Sequence, residues 1–145
     1  MLGPFATLII GFGVIFIAWQ QWKVSHAKLR LDLFDRRYKV YEATRKLLAG
    51  IMSDATFSDS QLFTFYAGTS DVEFLFDKDV VDYLEQIRKR ALHMRLLSKT
   101  FQPLPVGDER SRLVNEESAE MLWLTHQIMD MAKVFSPYLG FANIK

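Results

Sequence analysis

The first 22 residues, MLGPFATLIIGFGVIFIAWQQW, contain no Asp, Glu, Lys, Arg or His. A helix of about 20 residues, rising about 1.5 Å per residue, matches a hydrocarbon core of about 30 Å, so this run is long enough to cross a bilayer. Ten of its residues are Leu, Ile, Phe or Val. Each is worth roughly −0.3 to −0.6 kcal/mol at mid-membrane, and no charge opposes the gain. Trp19 and Trp22, with two glutamines between them, end the run in the manner of an interfacial belt. A cleaved signal peptide would start with basic residues and exit through small ones, whereas nothing basic follows Met1 and the exit reads IAWQQW. The expectation is a transmembrane anchor at 1–22 and a cytosolic domain at 23–145.

Lys23, Lys28 and Arg30 follow the run directly, while its other side offers only the amino terminus. By the positive-inside rule the amino terminus faces outward and the carboxy-terminal domain is cytoplasmic. Trp19, Trp22, Lys23, Lys28 and Arg30 form the expected membrane interface, since each cation beside an anionic leaflet gains about 1 kcal/mol. Gly3, Thr7 and Gly11 recur every four residues, a spacing that lets two anchors approach closely.

The charges alternate in blocks. Residues 23–52 carry a net +5, 53–87 a net −7, 88–112 a net +5 and 113–145 a net −2, giving +1 over 145 residues. That total gives no bulk attraction to nucleic acid. The chain has no cysteine, which removes disulfides, thiolate catalysis and sulfur-ligated metals, and agrees with a reducing compartment.

After Trp22 there is no proline and one glycine before residue 53, and Leu31, Phe34, Tyr38, Tyr41, Leu48 and Met52 recur at helical spacing. A second apolar line, Leu33, Val40, Leu47 and Ile51, widens the stripe beyond a two-stranded coiled-coil seam. No breaker separates this helix from the anchor, so the two are expected to be continuous. SDATFSDS, residues 53–60, reads as a turn, and Ser58 with Gln61 as a capping box for a short helix ended by Gly68. Ser70 with Glu73 repeats the cap pattern, and Asp77 is placed to cap a long helix to about Phe101, in which Val80, Leu84, Ile87, Ala91, Met94 and Phe101 keep the helical spacing. QPLPVGD is a loop. The last helix is expected from about Glu109 to Phe135, with Val114, Met121, Thr125, Ile128, Ala132 and Phe135 inward and Pro137 stopping it. The fold class is all-α: an anchor helix continuing into an antiparallel bundle of three long helices and one short helix.

KLRLDLFDRRYKVYEATRKLL, then EFLFDKDVVDYLEQIRKRA and the closing VFSPYLGF, resemble a family of small bacterial membrane proteins. The shared motif is close to KLRLDLFDRRYxVYE after an amino-terminal spanning helix. The resemblance implies the bacterial inner membrane. It brings no activity or catalytic residue.

No nucleophile elbow, phosphate-binding loop or dinucleotide fingerprint occurs, and no histidine has metal-ligand spacing. Folding about a loop near Val106 sets His93 level with about residue 119, so His93 and His126 do not meet. The acids Asp71, Glu73, Asp77, Asp79 and Asp82 read as caps and a solvated first turn, and Glu116, Glu117 and Glu120 as a solvated face. No catalytic or metal site, cofactor, nucleic acid or small-molecule substrate is expected.

Six aromatics, Phe57, Phe63, Phe65, Tyr66, Phe74 and Phe76, crowd twenty residues. They either line a groove for a partner or fill the open end of the bundle. With Arg36, Arg37 and Lys39, the residues Phe63, Phe65, Tyr66, Phe74 and Phe76 make the candidate partner surface. Arg36, Arg37, Lys39, Arg45 and Lys46 alternatively pair with the acidic 53–87 block. The functional expectation is a non-enzymatic, single-pass protein that recruits or regulates at the inner face of the membrane, by binding a protein partner or itself. The alternative is a membrane-acting effector, for example in phage defence, that assembles through its anchor.

Overall fold

A computed structural model of the protein describes residues 3–140, apart from the side chains of residues 4–8. The described chain is helical, in the order α1 (Gly3–Asp54), α2 (Asp59–Gly68), α3 (Val72–Leu75), α4 (Lys78–Phe101) and α5 (Asp108–Leu139). The four helices expected are thus joined by one further helical turn, α3. No strand occurs among the described residues.

Contacts divide the chain into two units, Met1–Asp35 and Arg36–Lys145. In the first unit the helix is exposed at every position from 9 to 32. Among the described residues no helix is long and apolar enough to cross a membrane. The spanning helix expected at 1–22 draws on residues 1–2 and on the side chains of residues 4–8, which lie outside the described residues. So does Thr7 of the small-residue repeat, while a Cβ added at Gly3 or Gly11 would meet nothing within 4 Å.

In the second unit, α1 contributes Val40, Thr44, Leu47, Leu48 and Ile51 to the core, all at most 3% exposed. Val40, Leu47 and Ile51 belong to the second apolar line and Leu48 to the first, of which Leu31, Tyr38 and Met52 are exposed. Thr44 is tolerated there because its hydroxyl donates to the Val40 carbonyl at 2.9 Å. In α4 the expected face is buried at Val80, Leu84, Ile87, Ala91 and Met94 and half-buried at Phe101. In α5 the stripe is rotated by about one residue from the expected one. Leu113, Leu124, Gln127, Met131 and Phe135 are buried, Val114, Met121, Thr125 and Ile128 lie at its edge, and Ala132 faces outward.

Helices α4 and α5 run antiparallel. Tyr83 meets Gln127, and Arg90 meets Glu120, each pair centred near residue 105 in the 102–107 loop. The Ser58–Gln61 capping box forms as expected, with Gln61 N–H donating to Ser58 Oγ at 3.1 Å and Ser58 N–H to Gln61 Oε1 at 2.7 Å. The second expected box does not. The Ser70 hydroxyl turns to the Ala67 carbonyl and the Asp71 carboxylate, and Asp71 occupies the cap position of α3 without a side-chain bond to the helix.

Pro137 does not stop α5, which continues to Leu139. Its missing N–H leaves the Lys133 carbonyl unclaimed by the backbone, and the Ser136 hydroxyl donates to that carbonyl at 3.1 Å. Close to the helix end one lost bond, replaced locally, does not break the helix.

Gly68 of α2 packs against Ala43 of α1. A Cβ at that position would stand 2.7 Å from the Ala43 Cβ, inside van der Waals contact. Gly68→Ala should therefore destabilise the bundle by about 1–3 kcal/mol despite its better helix propensity. Thermal unfolding followed by circular dichroism should give a lower Tm for Gly68→Ala, and partial recovery in the Gly68→Ala/Ala43→Gly double variant.

Candidate functional site

Arg37 is drawn into the fold. It is half-buried, and its Nε donates to the Leu75 carbonyl at 2.9 Å while a terminal nitrogen donates to the Tyr138 carbonyl at 3.4 Å. The guanidinium also lies over the rings of Phe76 and Tyr138, at 5.8 and 5.5 Å from their centroids. Tyr138 in turn donates its hydroxyl to Asp79 at 2.6 Å and Asp77 at 3.2 Å. Burial, and then the two carboxylates, push its phenol above the usual range. Asp77 does hold the cap position of α4 in extended geometry, but its carboxylate serves Tyr138 rather than the helix. One cation and one phenol thus tie α1, the α3–α4 link and the end of α5 together.

The aromatic cluster divides. Phe57, Phe65 and Phe76 are core residues, so Phe65 and Phe76 are unavailable to a partner, and Tyr66 is half-buried. Phe63 and Phe74 are 73% and 86% exposed. Of the basic candidates, Arg36 and Lys39 are exposed. The division follows from one turn of α2 presenting alternate faces, with Leu62 and Phe65 inward and Phe63 outward.

One acid of the 53–87 block pairs with α4. Asp59 accepts from Arg95 Nε at 2.8 Å and from Lys99 Nζ at 3.1 Å. Those two hydrogen bonds hold its carboxyl down to about 2. Lys46 bonds within its own helix, to Glu42 at 3.3 Å. Arg88 caps the end of α2, donating to the Thr69 carbonyl at 2.6 Å and to its hydroxyl at 2.8 Å, with the Tyr66 ring 5.8 Å away. Its Nε is buried without a hydrogen-bond partner.

The glutamates of α5 are not a plain solvated face. His93 lies between two of them, Nδ1 3.1 Å from Glu120 and Nε2 3.5 Å from Glu116. Arg90 completes the group, 3.0 Å from the other Glu120 oxygen and stacked 4.3 Å above the Trp123 ring. The expected level of His93 is close to the observed one. The pairing itself was hidden because the spacing rules for metal bundles look along one helix, whereas this cluster forms across two. Glu117, beside it, has its carboxyl raised by burial and drawn back by the Ser98 hydroxyl. The two ring nitrogens address different carboxylates, so the group does not converge on one point. Among the described residues no cluster of three or more His, Asp or Glu could hold a metal ion.

A groove of about 360 Å³ separates α1 from α2, floored by Ala43, Leu47 and Phe65 and edged by Lys46, Gln61 and Thr64. Along the first unit, Trp19, Trp22, Lys23, Lys28 and Arg30 are all exposed. The Lys23 ammonium sits 3.7 Å from the Trp19 ring centroid, and Trp22 meets His26 edge to face at 4.4 Å.

No family model, curated protein or solved structure matches this chain.

Removing Arg37 leaves the Leu75 and Tyr138 carbonyls without their donor. Arg37→Ala should cost about 1.5–3 kcal/mol, and Arg37→Lys a large part of that because an ammonium lacks the planar fork. Denaturant or thermal melts of both variants check this. Asp59 supplies a pH signature. An acid whose folded pKa is lowered adds stability that is present above its unfolded value of about 4 and lost as pH falls through about 2. The Tm difference between the native chain and Asp59→Asn should stay level above about pH 5, shrink between about 4 and 2, and vanish below.

Proposed function

We propose that the chain is anchored in a bacterial inner membrane by residues 1–22 and presents the 36–140 bundle at the cytoplasmic face as a non-catalytic docking domain. The observation that carries this reading is the exposed helix of residues 9–24. Ile9, Ile10, Phe12, Val14, Ile15, Phe16, Ile17, Trp19, Trp22 and Val24 are all at least 49% exposed there. They point in every direction around the helix at about 100° per residue. An apolar surface of that extent marks a segment meant to be covered by something else. A helix apolar all round suits lipid better than the one-sided face of a bundle partner. The uncharged sequence from Met1 and the basic residues that follow it support the same conclusion and the orientation.

The docking role is supported by what the bundle leaves outside. Phe63 and Phe74 are large, exposed and apolar, while the charged residues nearest the core are consumed in helix-to-helix ties. The partner is a protein or a second copy of this chain.

The full chain should remain in the membrane pellet after alkaline carbonate washing, and a chain lacking residues 1–22 should move to the supernatant with its bundle folded. A reporter fused after Lys145 should be active on the cytoplasmic side, and crosslinking in intact membranes should capture a protein or a second copy. Recovery of the full chain in the supernatant without detergent would overturn the anchoring.

A further inference from the structure

We propose that one face of the helix over residues 19–30 binds the phosphate of an anionic phospholipid headgroup, through Lys23, His26 and Arg30 backed by Trp19 and Trp22. The proposal rests on the anchoring reading above and adds a preference that anchoring does not require. At about 100° per residue, Trp22, His26, Trp19, Arg30 and Lys23 fall within an arc of about 100°, and Lys28 lies on the opposite side. The rings engage two nitrogen-bearing side chains of that arc. Trp19 lies 3.7 Å from the Lys23 ammonium, and Trp22 contacts His26 at 4.4 Å. An ammonium resting on a ring keeps N–H donors for a phosphate oxygen, and a guanidinium adds a two-pronged donor.

Charge separates the two sides. No acid precedes Asp32 in the sequence, and both Asp32 and Asp35 project to the side of Lys28. Lys28 and Asp32, four residues apart, line one shallow depression of about 310 Å³ with Ser25 and Leu29. A carboxylate there balances Lys28 and repels phosphate, whereas the Lys23–Arg30 side is uniformly basic. Along the axis the backbone of Lys23 falls within the headgroup layer, while those of His26 and Arg30 lie beyond it. With Trp19 at the hydrocarbon edge, Lys23 stands about 6 Å and Arg30 about 16 Å further out. The headgroup layer of one leaflet is about 5–8 Å deep. Helical side chains lean toward the amino terminus, so His26 and the long Arg30 side chain reach back toward that layer. A zwitterionic lipid carries its own cation beside the phosphate. The basic face therefore favours an anionic lipid, each well-placed cation being worth about a fivefold preference.

The test reconstitutes the full chain in vesicles of phosphatidylcholine and phosphatidylglycerol mixed three to one, with bromine on the acyl chains of one lipid at a time. Quenching of Trp19 and Trp22 is read as the difference from the Trp19→Phe/Trp22→Phe double variant, which retains Trp123. Brominated phosphatidylglycerol should quench more strongly than its mole fraction predicts, and high salt should remove the excess. Lys23→Gln or Arg30→Gln should each reduce the excess about fivefold, and Lys28→Gln should reduce it by clearly less than either. Circular dichroism of each variant confirms that the bundle is folded. Quenching in proportion to mole fraction, or a loss in Lys28→Gln equal to that in Arg30→Gln, overturns the headgroup face and leaves the anchor standing. Absence of quenching by either lipid overturns the anchor as well.

Discussion

Phe135 is the point on which the bundle closes. It is fully buried in α5, and three other rings meet it edge to face: Tyr41 from α1 at 5.5 Å, Phe76 from the α3–α4 link at 5.4 Å and Tyr83 from α4 at 6.4 Å. Each contact places the positive edge of one ring against the negative face of another, an interaction with a preferred geometry as well as buried area. Four stretches far apart in sequence are thereby held at one end of the bundle. The aliphatic seam, Leu48, Ile51, Leu84, Ile87, Met94, Leu124 and Met131, runs away from that point with much less directional chemistry.

Around this aromatic end the polar groups are arranged to close the fold. Arg37 and Tyr138 bind carbonyls and carboxylates that helix ends would otherwise leave to water, and Arg88 does the same for the end of α2. Hydrogen bonds to charged groups are worth roughly twice neutral ones, so a few of them fix the order of the helices where the apolar core alone would permit sliding. The motif DRRY at residues 35–38 is accordingly divided in role. Arg37 belongs to the interior, and Arg36 and Lys39 remain on the surface.

The two units answer the same hydrophobic pressure in opposite ways. Over residues 40–51 Val40, Leu47, Leu48 and Ile51 of α1 join one core cluster with residues of α4 and α5. Over residues 9–24 the apolar side chains are exposed, with no partner element among the described residues. Such a surface gives the chain its proposed place in a bilayer. In the proposed function the folded bundle is the part left to meet a partner.

Local chemistry was enough to determine the all-helical class, the loop at 102–107, the capping box at Ser58, the inward face of α4 and the level of His93 against α5. Each depends on periodicity, a breaker or a cap, and each acts within a few residues. The same reasoning misplaced the stripe of α5 by one residue, because two adjacent apolar lines differ by about 100° and the neighbouring helices select between them. It likewise could not divide Phe63 and Phe74 from Phe65 and Phe76, or remove Arg37 from the surface, since the ring, carbonyl and carboxylate partners lie tens of residues away. Tertiary packing alone decided the Asp59–Arg95–Lys99 group, the Arg90–His93–Glu116–Glu120 cluster and the Tyr138 link to Asp77 and Asp79. Ion pairs between helices depend on register and rotation, and those are set by how the apolar faces seat against one another.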